Sequence, residues 1–80
     1  MSSSLFTPPS FLTLWDALAE ADEVADTVTG LLEMEVSTSE MAENLQVLTG
    51  RKAERATRLV LQAMKSDEGR STLRSALAAR

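Results

Sequence analysis

Leu14, Leu18, Ala21, Ala25, Val28 and Leu32 recur at spacings of 4, 3, 4, 3 and 4. That repeat lays one apolar stripe along a helix, and a strand, whose faces alternate every second residue, cannot use it. No alternating run competes with it elsewhere, so the expected fold is all-α: a small bundle of three main helices plus a short C-terminal helix. Thr13 and Asp16 resemble a capping box opening the first helix, and the stripe loses phase at Met34 and Glu35, which places its end near Glu33. The stripe keeps phase through Gly30, so this glycine belongs inside the helix, where the missing Cβ permits close approach of another backbone.

Ser37 and Glu40 form a second capping box, followed by Met41, Leu45 and Leu48. A turn at Thr49-Gly50 separates this helix from the next, whose stripe is Ala53, Ala56, Val60 and Met64. Ser66-Asp67-Glu68-Gly69 reads as a stop and turn, with Ser71 starting the last helix and Leu73 and Leu77 facing inward. Before Thr13, the pair Pro8-Pro9 excludes a helix interior. The expected organisation is an extended arm over 1–12, carrying Leu5, Phe6, Phe11 and Leu12, and a single helical domain over 13–80.

The chain has 80 residues with no Cys and no His. Disulfides, thiol nucleophiles, the imidazole base and the usual zinc ligands are all missing, and no glycine-rich phosphate loop or cofactor motif is present. These absences point away from an enzyme and from bound metals or cofactors. A domain of this size without a staple has a thin stability margin, so a homodimer is expected. No segment is apolar enough to span a membrane, no secretory signal pattern stands at the start, and a cytoplasmic location is expected.

Charge divides the chain. Nine of the twelve acids precede Gly50, and all eight Lys and Arg residues follow it. At helical spacing Asp16, Glu20, Glu23 and Asp26 share the face opposite the Leu14–Leu32 stripe, while Arg51, Arg55, Arg58, Gln62 and Lys65 share one face of the third helix. Either face can simply keep the protein soluble. As functional surfaces they are complementary, so the acidic first helix and basic third helix could pair within a protomer, between protomers or with a partner.

Residues 39–65 also permit a helix-turn-helix reading, with Arg51 to Arg58 as a basic recognition helix. Against it, Gln46 stands where the turn of that motif usually has glycine, and the net charge of −4 opposes long-range attraction to DNA. Trp15, with Phe11 four residues before it, reads as core at the edge of the bundle or as an aromatic anchor in an interface. The expected function is a small non-catalytic regulator or adaptor that binds another protein, of a kind that would suit a bacterial or phage accessory or inhibitor protein. Its partner-binding residues would be Arg51, Arg55, Arg58, Lys65, Asp16, Glu20, Glu23, Asp26, Phe11 and Trp15; the alternative is a small DNA-binding regulator using residues 39–65. No small-molecule substrate is expected.

Overall fold

A computed structural model describes residues 7–80 and gives an all-α chain, with five helices and no strand among the described residues. These are α1 (Phe11–Glu20), α2 (Asp22–Glu33), α3 (Thr38–Leu45), α4 (Arg51–Ala63) and α5 (Asp67–Ala78). Leu5 and Phe6 of the expected arm lie outside the described residues. The first helix starts at Phe11, earlier than Thr13, because Ser10 is extended after the two prolines and its side-chain oxygen accepts from the Thr13 N–H at 3.2 Å. Phe11 and Leu12 are therefore helical residues.

The expected long first helix is two helices. Ala21 leaves helical geometry at φ −131°, ψ 73°, and Asp22 starts a new helix with Asp22 and Glu23 in its first turn. Two carboxylates that would repel their neighbours in an unbroken helix sit instead at the positive end of a new dipole. The break leaves both stripes inward: Leu14, Leu18, Val24, Ala25 and Val28 are fully buried. At the end of the stripe Leu31 is buried and Leu32 only half-buried.

Past α2 the chain turns with Glu35 at φ +56°. The Val36 N–H donates to the Leu31 carbonyl and the Glu35 N–H to the Leu32 carbonyl, the pairing of a Schellman end. Ser37 and Glu40 form the expected reciprocal capping box at the start of α3. Gly50, at φ +109°, supplies the left-handed residue that starts α4. This helix touches all four others, and Ala53, Ala56, Val60 and Ala63 are its buried face. Methyl-sized side chains here let the surrounding helices approach closely.

Ser66 to Gly69 is the start of α5, where a turn was expected. The Ser66 side chain caps the helix by accepting from the Gly69 N–H at 3.0 Å, and Arg70 donates to the Met64 carbonyl at 2.7 Å, satisfying an end of α4. Gly69 is buried against the backbone of Ala63: a Cβ on it would fall 2.9 Å from the Ala63 Cα and carbonyl carbon, and closer still to the oxygen. Gly30, by contrast, has open space where its Cβ would be. The close-approach glycine is thus Gly69.

Leu14, Leu18, Met41, Leu45, Leu73, Val24, Val28 and Val60 are the largest fully buried side chains, and no polar or charged residue is buried with them among the described residues. This core closes within one chain.

Candidate functional site

The acidic and basic segments meet within the chain. The Arg55 guanidinium stands 3.7 Å from the Asp16 carboxylate and 3.9 Å from that of Glu20, joining α4 to α1. Arg80 reaches Asp22 at 3.3 Å and Asp26 at 3.4 Å, joining the C-terminus to α2. The break at Ala21 separates the expected acidic face into these two clusters, and Glu23 remains outside both. These half-exposed pairs contribute on the order of a few tenths of a kcal/mol each; their larger effect is to halve the negative charge of each cluster.

On α4 the expected basic stripe is divided in the same way. Arg55 is half-buried and paired, whereas Arg51, Lys52, Arg58 and Lys65 are exposed and form no ion pair among the described residues. A recognition helix presents cations along its first turns to base edges and phosphates, and Arg55 would be one of them. Here that cation is turned toward two carboxylates of its own chain.

Trp15 is not a core residue. It is 38% exposed and Phe11 39%, and Leu12 between them is 72% exposed. Residues 11, 12 and 15 adjoin on a helix surface because three- and four-residue separations are neighbours there. The three side chains make one apolar patch at the start of α1. The Trp15 indole N–H donates to the Ala79 carbonyl at 3.4 Å, so the ring is tethered to the end of α5 with apolar surface left to solvent. The four-residue spacing singles out Phe11 and Trp15 in the sequence; Leu12, expected in the extended arm, joins them because the helix starts at Phe11.

Two features were not anticipated from the sequence. An open cleft of about 460 Å³ lies between α2 and α5, lined by Thr29, Leu32, Glu33, Glu35, Arg74, Leu77 and Ala78. Between α3 and α4, the Thr57 hydroxyl oxygen is buried with no hydrogen-bond partner among the described residues. No group of three or more Asp or Glu side chains among the described residues is placed to hold a metal ion, and no helix there is long and apolar enough to cross a membrane.

Comparison with known proteins finds no matching family model, no matching curated protein and no matching solved structure.

Proposed function

We propose that this chain is a small non-catalytic protein-binding regulator or adaptor that works as a homodimer joined through α1. The observation that carries this reading is the exposed patch of Phe11, Leu12 and Trp15. Aromatic side chains held at a surface, one of them tethered at its polar end, offer large contact area at small entropic cost, as interface anchors do. A second copy suits the patch because the charges near it are partly offset within the chain: Arg55 faces Asp16 and Glu20, and Arg80 faces Asp22 and Asp26, one cation to two carboxylates in each cluster. Without these pairs two acidic helices would repel more strongly on meeting. A two-fold contact places the same patch on both sides of the interface.

The second reading, a DNA-binding regulator using residues 39–65, draws on the exposed Arg51, Lys52, Arg58 and Lys65. The pairing of Arg55 and the net charge of −4 weigh against it. Trp15 fluorescence separates the two readings. On dilution from tens of micromolar, the expected result is a red shift of the emission and rising quenching by iodide as the rings become exposed, with no change on adding duplex DNA at moderate salt. Tight duplex binding lost in Arg51→Ala/Arg58→Ala, with emission independent of protein concentration, would replace the first reading by the second.

A further inference from the structure

The cleft between α2 and α5 has an apolar floor and rims of opposite charge. Leu32 and Leu77 are half-buried on the floor; Glu33 and Glu35 stand on the α2 side and Arg74 on the α5 side. None of these three charged groups forms an ion pair among the described residues, so all three remain available to a partner. Glu35 adds an independent observation. It occupies the left-handed position of a Schellman end, at φ +56°, where glycine serves the fold best. The residue that carries this backbone strain is also one whose carboxylate stands at the cleft rim.

We infer that this cleft is a docking site for one turn of an amphipathic helix from a partner protein. The occupant would place an apolar side chain on Leu32 and Leu77, a Lys or Arg against Glu33 and Glu35, and an Asp or Glu against Arg74. A small molecule is a poorer fit, since a cleft this open would leave much of it in water. The lining covers about one turn of each helix, about 5 Å of rise, which suits a single ridge of a third helix seated in the groove between two. The paired rims select a ligand with cations on one edge and anions on the other. This inference rests on the reading of the chain as a protein-binding module but uses a surface separate from the α1 patch, so a dimer could hold a partner on each protomer.

The test uses the full chain, isotope-labelled for NMR, and three synthetic Ala-based helical peptides. All carry the same two leucines four residues apart; their edges are Lys and Glu, Lys and Lys, or Glu and Glu. At physiological salt the expected order of binding is Lys/Glu, then Lys/Lys, then Glu/Glu. Each step should be up to about fivefold, the upper end of the range for exposed ion pairs, with shift changes at residues 29–35 and 74–78. In Arg74→Glu the Lys/Lys peptide should become the tightest. Glu35→Gly should melt at a higher temperature than the parent yet bind the Lys/Glu peptide more weakly, a combination that a purely structural role for Glu35 does not produce. Equal binding of Lys/Glu and Lys/Lys by the parent chain, or an unchanged order in Arg74→Glu, would overturn the proposal. Shifts confined to residues 11–15 would also overturn it while leaving the α1 interface standing.

Discussion

Replacing Gly69 with alanine tests the packing of α5 on α4. Alanine is favoured over glycine inside a helix by about 1 kcal/mol, so propensity alone predicts a gain. The structure predicts a loss. The new Cβ would fall 2.9 Å from the Ala63 Cα and carbonyl carbon and nearer still to its oxygen, inside the 3.0 Å that real Cβ contacts essentially never breach. The obstacle is backbone, which cannot rotate away, and moving α5 outward would stretch the Ser66–Gly69 cap and lift Leu73 and Ala76 from the core. Overpacking of this kind costs up to about 3 kcal/mol, so with the propensity gain subtracted Gly69→Ala should be destabilised by about 2 kcal/mol. For a domain of this size that is a fall in Tm of about 8–16 °C, read by circular dichroism with urea unfolding as a check. Gly30→Ala is the control: it lies exposed within α2 with nothing near its Cβ position, so it should gain about 1 kcal/mol. A Gly69→Ala variant melting at or above the parent would refute the close approach of the two helices.

Thr57→Val removes a buried hydroxyl that has no partner among the described residues and keeps the side-chain shape; it should raise stability by about 1 kcal/mol in urea unfolding, and a loss would mean that the hydroxyl is satisfied. Ser37→Ala deletes one half of the α3 capping box and should cost about 1 kcal/mol, with a neutral result showing that α3 is held by packing alone. Arg55→Ala should cost less than about 1 kcal/mol at low salt, and the difference should shrink as salt is raised. A loss independent of salt would show that the Arg55 stem, not its charge, matters.

The helical class was legible because the 4-3-4-3-4 spacing admits no other secondary structure, and the Ser37–Glu40 box because both partners are local in sequence. The break at Ala21 was not legible. A one-residue departure leaves the apolar stripe in phase on both sides, so periodicity carries no trace of it. Gly30 lies inside a helix as its spacing predicts, but the close approach expected of it falls to Gly69, because whether a missing Cβ is needed depends on what lies opposite, and the neighbour of Gly69 is the end of a different helix. At the candidate site, the sequence showed that acidic and basic faces existed, while the partners of Arg55 and Arg80 depended on helix packing. The cleft between α2 and α5 was hidden because its walls lie about 40 residues apart in the chain.

Sedimentation equilibrium of the full chain across a wide concentration range, beside Leu12→Glu, tests the central claim most directly. Leu12 is 72% exposed on the first turn of α1, where an acidic side chain suits the helix dipole, so this substitution should leave the fold intact. The parent should approach twice the 8.7 kDa chain mass at tens of micromolar and dissociate on dilution, while Leu12→Glu stays at the chain mass throughout with an unchanged helical spectrum. A parent chain of 8.7 kDa at every concentration, or a Leu12→Glu variant that dimerises as well as the parent, would contradict an interface built on Phe11, Leu12 and Trp15.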